Sequence, residues 1–273
     1  MRMGFQTKNL QKGNITIDSS LRSYVYLGKY LIPNVGIDAY VDFPCNGAPQ
    51  VYFEVPYNVT SQDVGVTGLN SFRSRTGINL NRLEPLGGGL WRAYVAVNVF
   101  NGPPLNLHLR VFGRLDLNPP LPRYGHGLMV RTISGEMVFY SGKRMLRLAG
   151  DTYDVELVLP WQTPQTEDSL ANSQDTFVNL PFNMQGKSIS ANTRGTISTP
   201  YYLYSYDDDG QIKDRYAVLR YQTMYWANGN QLQMRRIAPD EDAIDSVGGL
   251  FIDNSRCQTV YSRLSVIDNS KFP

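Results

Sequence analysis

Residues 4–27 read GFQTKNLQKGNITIDSSLRSYVYL, and residues 127–150 read GLMVRTISGEMVFYSGKRMLRLAG. With one gap, Gly4 falls on Gly127, Gly13 on Gly135, Ser19 on Ser141 and Arg22 on Arg144. The apolar positions follow: Phe5 with Leu128, Ile15 with Met137, Ile17 with Phe139, Tyr24 with Leu146, and Tyr26 with Leu148. A recurrence at about the length of a domain points to duplication of a whole domain, since a solenoid repeats on a far shorter period. In the first copy Ile15 and Ile17 share one face and Thr16 the other, the period-two pattern of a half-buried strand. The stretch therefore predicts two short strands, 4–9 and 14–17, a turn at Asp18-Ser19, and a third strand over 22–27. A polar turn followed by Arg22 or Arg144 reads as structural, the guanidinium pairing with a carboxylate or carbonyl at a sheet edge.

Outward from that stretch the chain keeps the same character. In 90–100, Trp91, Ala93, Val95, Val97 and Val99 alternate with Arg92, Tyr94 and Asn98; in 105–112, Leu107, Leu109 and Val111 alternate with Asn106, His108 and Arg110. Asn101-Gly102-Pro103-Pro104 between them predicts a long antiparallel hairpin with one buried face. Further strands are expected at 36–43, 51–55, 153–161, 201–206, 214–226, 231–237 and 257–267. Short helical turns are expected within 61–71 and 240–247, and long loops with short strands over 162–199. Short strands at steady spacing between turn residues argue for β-sandwiches or jelly rolls. The prolines of Leu117-Asn118-Pro119-Pro120-Leu121-Pro122 favour an extended spacer. The expected organisation is all-β: two consecutive sandwich or jelly-roll-like domains, 1–116 and 127–273, joined by a linker at 117–126.

The composition narrows the function classes. Lys and Arg number 26 against 24 Asp and Glu, so no basic signature of nucleic-acid binding is present. Charged residues make up 18%, below the usual ~25%, so Asn, Gln, Ser, Thr and Tyr supply much of the polar surface. The start, MRMGFQTKNL, has no apolar core of a secretory signal, and no run approaches the ~20 apolar residues of a membrane span. Cys45 and Cys257 are too few for a disulfide framework or a cysteine zinc site and read as buried thiols. The two histidines, His108 and His126, fall in no nucleophile or metal motif. Asp207-Asp208-Asp209-Gly210 lacks the spacing of a calcium loop and reads as a hairpin turn. It and the Asp240-Glu241-Asp242 cluster are the remaining candidates for a pair of catalytic carboxylates, and both read first as solvated turns or element starts. No catalytic residue, metal or cofactor is expected.

Two groups of residues suggest binding. Tyr202, Tyr204, Tyr225 and Trp226 crowd one hairpin region, where aromatic faces beside Asn and Gln suit sugar stacking or receptor contact. Alternation along a strand sends about half of such residues into a core, so core packing is the first reading of the group, an interface the second and sugar binding the third. Arg73, Arg75, Arg82, Arg235 and Arg236 are candidates for subunit contacts.

The pattern over residues 4–22, with its Gly-aromatic start, Gly13, Ile17-Asp18-Ser19 and Arg22, resembles the start of small virion proteins of tailed bacteriophages, and more faintly so do residues 127–144. The resemblance covers about a tenth of the chain. It implies a non-enzymatic, β-rich structural component of the distal tail, at the tail tip, baseplate or fibre. The family is made in the host cytoplasm and incorporated into virions. The expected partners are other tail proteins, further copies in a trimer or ring, and a bacterial surface receptor. The competing class is a carbohydrate-binding module or part of a glycan depolymerase. The second domain, rich in loops and tyrosines, reads as the outward side and the first as the anchor.

Overall fold

The computed structural model describes residues 4–9, 13–18, 23–33, 39–58, 77–98, 106–118, 128–132, 134–157, 176–193, 197–247 and 260–273. The protein is an all-β sandwich. The first half supplies β1 (Gly4–Asn9), β2 (Gly13–Asp18), β3 (Tyr24–Leu31), β4 (Ala39–Pro44), β5 (Gln50–Glu54), β6 (Gly77–Gly87), β7 (Leu90–Asn98) and β8 (His108–Arg114). The second supplies β9 (Met129–Arg131), β10 (Met137–Tyr140), β11 (Tyr153–Leu157), β12 (Thr176–Asn179) and β13 (Lys187–Thr193). It continues with β14 (Ile197–Asp208), β15 (Gln211–Asn228), β16 (Gln231–Val247) and β17 (Val260–Asp268), followed by a 3-10 turn, Asn269–Lys271.

Two large sheets form the body. One has the order β11-β17-β13-β5-β8-β3, the other β12-β16-β15-β6-β7-β4, with β14 added to β15. They pack face to face around Phe43, Phe53, Ile78, Val95, Leu109, Val111, Ile189, Tyr225, Met234 and Leu264, all buried in one cluster. Rings meet across the layers: Tyr30 lies 5.7 Å from Phe43 and Phe53 lies 6.0 Å from Tyr225. Burying side chains of this size contributes about 1.5–3 kcal/mol each, and period-two placement lets strands such as β4 and β7 deliver one face to the core.

The strand order repeats. In the first half β3, β8 and β5 enter one sheet and β4, β7 and β6 the other; in the second, β11, β17 and β13 take the first sheet and β12, β16 and β15 the second. The two sets meet edge to edge, antiparallel, in both layers. At this seam Glu54 stands opposite Ser188 and Phe53 opposite Ile189, while Ile78 stands opposite Tyr225. Gly77 permits the approach in the second sheet, because a Cβ there would sit 2.8 Å from Cβ of Met224. Each set is also preceded by a separate two-stranded hairpin, β1-β2 and β9-β10, formed by the two recurring sequence stretches.

Three expectations need correction. Residues 90–98 and 108–114 are strands, but they do not form a hairpin. β7 pairs with β4 and β6, whereas β8 pairs with β3 and β5 in the opposite sheet. Alternation shows which face a strand buries; it does not name its hydrogen-bonded neighbour. The true hairpin is β6-β7, closed by Gly88 and Gly89 at φ +61° and +78°, the primed turn that suits strand twist. Residues 240–247, expected to make a helical turn, continue β16 as a strand because β15 offers a ladder along its whole length. Finally, the two sets of strands change over between Arg114 and Met129, but they are not separately cored domains on a spacer: they share both sheets and one core. The helical turn expected within 61–71 lies outside the described residues, as do 119–126 of the expected linker.

Candidate interaction surfaces

On the outer face of the β4-β7-β6 group, Tyr40, Tyr94 and Arg82 stand in one row and Asp42, Arg92 and Glu84 in the next. The guanidinium of Arg82 lies 3.9 Å over the Tyr94 ring, and that of Arg92 lies 4.0 Å over Tyr40. Arg92 donates from Nε and NH2 to both oxygens of Asp42 at 2.7 and 2.8 Å. That charge-assisted fork holds the Asp42 carboxyl below its ordinary range. Tyr40 remains 49% exposed. Rigid, solvent-facing Tyr and Arg side chains are what protein interfaces use as anchors.

The second feature is an arm. Residues 223–228 of β15 lie in the body, where 223–227 are buried. Residues 211–221 pair with β14 on one side and, from 213 to 220, with β16 on the other. A register shift between Arg220 and Gln222 marks the change. At ~3.3 Å per residue the eleven paired residues of β15 give this ribbon a length of roughly 35 Å, and it is three-stranded over 213–220. At its tip Asp209 and Gly210 adopt φ +52° and +79°, and Asp207 accepts the Gly210 N–H at 2.8 Å. Asp208 pairs with Lys213. The acidic run is thus hairpin chemistry. Both long edges carry blunting devices. β14 contains Pro200 and a register shift between Tyr202 and Tyr204, and the outer part of β16 contains Asp240, Glu241, Asp242 and Asp245.

The third feature lies on the far face of the six-stranded sheet. Residues 144–149 bridge its ends: Tyr26 N–H donates to Arg144 O at 2.8 Å, Leu146 N–H to Tyr24 O at 2.7 Å, and Ala149 N–H to Val266 O at 2.7 Å. From Met145, opposite Val25, to Leu148, opposite Ile267, the chain spans at most ~11 Å. In a flat sheet β17 and β3, four strand spacings apart, would stand about 19 Å apart. The sheet therefore curls until its ends meet at one rim. The pairing of Tyr24 with Leu146 joins the positions that the sequence recurrence matched.

Inside the curl lie Tyr52, Phe112 and Ile267, and residues 269–273 run across them as a strap that buries Phe272. Phe272 packs edge-on to Phe112 at 4.9 Å and against Tyr26 at 5.6 Å. Arg110, 4% exposed, donates from Nε to the Phe272 carbonyl at 2.8 Å and from NH1 to Glu54 at 2.7 Å and Ser188 Oγ at 3.2 Å. The other Glu54 oxygen accepts the His108 N–H at 3.1 Å and lies 3.0 Å from its Nδ1. Asn269 donates to Glu54 at 3.1 Å and accepts from Ser188 at 2.7 Å. Burial pushes the Tyr26 and Tyr52 hydroxyls up, so both stay protonated; Tyr26 donates to the Pro273 carbonyl at 2.8 Å.

The sequence-predicted residues separate accordingly. Tyr225 and Trp226 are core, 0% and 2% exposed, and are corrected from surface contacts. Tyr225 shares a hydrogen bond with Ser262 at 3.1 Å, and Trp226 Nε1 donates to Gln233 at 2.5 Å. They sit where β15 enters the body, which sequence alone does not mark. Tyr202 and Tyr204 lie on the arm, opposite Tyr216 and Arg215, so they are not brought together with Trp226. Arg82 belongs to the Tyr-Arg ladder. Arg235 and Arg236 pair along β16 with Met224 and Thr223, and Arg73 and Arg75 lie outside the described residues. Cys45 is a buried free thiol, its pKa raised by burial, while Cys257 and His126 lie outside the described residues. Sequence reasoning missed Tyr40, Tyr94 and the Arg110-Glu54 pair. The alternation around Arg92 and Arg110 was the available signal, but which residues stack or pair across strands depends on register. Compared with known proteins, the chain matches no family model, no curated protein and no solved structure.

Proposed function

We propose that the protein is a non-enzymatic structural component of a bacteriophage virion, at the tail tip, baseplate or fibre, derived by duplication of a six-stranded unit. The phage assignment rests on the resemblance of residues 4–22. The structural role is supported by one observation above all: the β14-β15-β16 arm, a ribbon roughly 35 Å long whose strands pair with one another beyond the buried stretch of β15 at 223–227. A ribbon of this length with blunted edges resists uncontrolled strand pairing and remains available to a specific neighbour. The ordered Tyr-Arg ladder supplies a second contact face of the kind assembly proteins use. Such a protein works by burying interfaces, in a closed trimer or ring, and carries a receptor contact on loops or on the arm.

Mass spectrometry of purified virions, with immunogold labelling to locate the protein, tests this reading. Labelling at the distal tail is the expected result. Absence from particles overturns it.

A further inference from the structure

We propose that the curled sheet encloses a peptide site for a Phe-Pro segment, filled in this structure by the chain's own strap, residues 269–273, and that in assembly the same segment of a second copy occupies it. The inference stands whether or not the protein belongs to a virion.

The first observation is how Arg110 is used. A buried guanidinium directs its Nε at a main-chain carbonyl of the strap, while Glu54 neutralises its charge. Recognition of a backbone acceptor by a pre-paired arginine is independent of whose backbone supplies it. Taking the strap away leaves a buried donor unmade, which is costly, so the site favours being filled. The second is shape: Phe272 enters between Tyr26 and Phe112 with its ring 2% exposed, and the Tyr26 hydroxyl takes the next carbonyl, that of Pro273. An aromatic side chain, its own carbonyl and the following carbonyl are thus each read by a separate group.

The third observation concerns ownership. The strap continues from β17, in the second set of strands, yet Arg110, Glu54, Phe112 and Tyr26 all belong to the first. The strand ladder of β17 ends at Asp268, opposite Lys187, so lifting the strap breaks no sheet register. Five residues reach at most ~18 Å, so exchange is confined to copies touching at this rim. Mutual exchange gives a two-fold pair, and serial exchange gives a ring.

The test uses a variant lacking residues 269–273 and a fluorescent peptide of residues 268–273, Asp-Asn-Ser-Lys-Phe-Pro. Saturable binding is expected, weakened at least tenfold by alanine at the Phe position and at least tenfold by Arg110→Met in the protein. A folded deletion variant that does not bind the peptide overturns the proposal. Should that variant not fold, full-length Phe272→Ala replaces it: the expected result is faster hydrogen exchange at the strap and a shift from oligomer to monomer by light scattering. Unchanged exchange and unchanged mass overturn the proposal. Wild-type protein that stays monomeric up to millimolar concentration overturns the exchange between copies even if the peptide binds. None of these outcomes depends on where the protein is found, so failure here is distinguishable from failure of the virion assignment.

Discussion

Glu54 is the residue on which most depends. It neutralises a guanidinium that is almost wholly removed from water, and it also takes the His108 N–H and the Asn269 amide. Removing one partner of a buried pair leaves the other charge uncompensated, so Glu54→Gln is expected to cost about 3 kcal/mol, read as a lowered urea midpoint with unchanged slope. Asp42 behaves differently, because its partnership with Arg92 is at the surface. The Arg92 hydrogen bonds depress its pKa below the ordinary carboxylate value of 3.8. A depressed carboxylate supports the fold above its unfolded pKa and loses that support as pH falls through the folded value. The Asp42 carboxyl resonance is therefore expected to titrate below 3.8, and Arg92→Ala to move it up towards 3.8, without measurable effect on stability at neutral pH. A resonance that titrates at the same pH in both proteins would refute the pairing.

Among the elements, β15 shows how one strand serves two environments. Residues 223–227 are buried in the body, whereas 211–221 belong to the ribbon. Backbone hydrogen bonds in a three-stranded ribbon are protected by fewer buried neighbours than those in a packed sheet. Amides 212–220 are expected to exchange at least tenfold faster than amides 223–227, measured by native-state hydrogen exchange. Equal protection along the strand would mean that the ribbon is covered. The sequence showed this hairpin clearly, through Asp207-Asp208-Asp209-Gly210 between two apolar-aromatic runs. It did not show where the ribbon ends and the core begins, because Tyr216, Tyr221 and Tyr225 are the same residue type in the same strand. β6 was hidden for a different reason. Its Gly77, Pro85 and Gly87 are strand breakers by propensity, and the strand exists because the Gly88-Gly89 turn folds it onto β7 and Ile78 reaches the core.

For the whole molecule, the seam decides the thermodynamics. Two sets of strands that share both sheets and one core cannot unfold independently without exposing Phe53, Tyr225 and Ile189. One cooperative transition is therefore expected in calorimetry, with van't Hoff and calorimetric enthalpies equal if unfolding is reversible. Two resolved transitions would show that the halves are separate cores after all.

The sequence by itself determined that the chain is all-β, where most strands run, which faces are apolar and that one stretch recurs, because these depend on period-two alternation and on turn residues read locally. The recurrence at 4–27 and 127–150 also anticipated the matching hairpins β1-β2 and β9-β10. Tertiary structure alone decided that β7 and β8 lie in opposite sheets, that the two sets of strands fuse at Phe53, Ile78, Ile189 and Tyr225, and that Phe272 and Arg110 meet inside a curled sheet. The reason is physical: hydrophobic alternation constrains a strand's face, whereas its neighbour in the sheet is chosen by non-local hydrogen bonding and packing that no segment encodes alone.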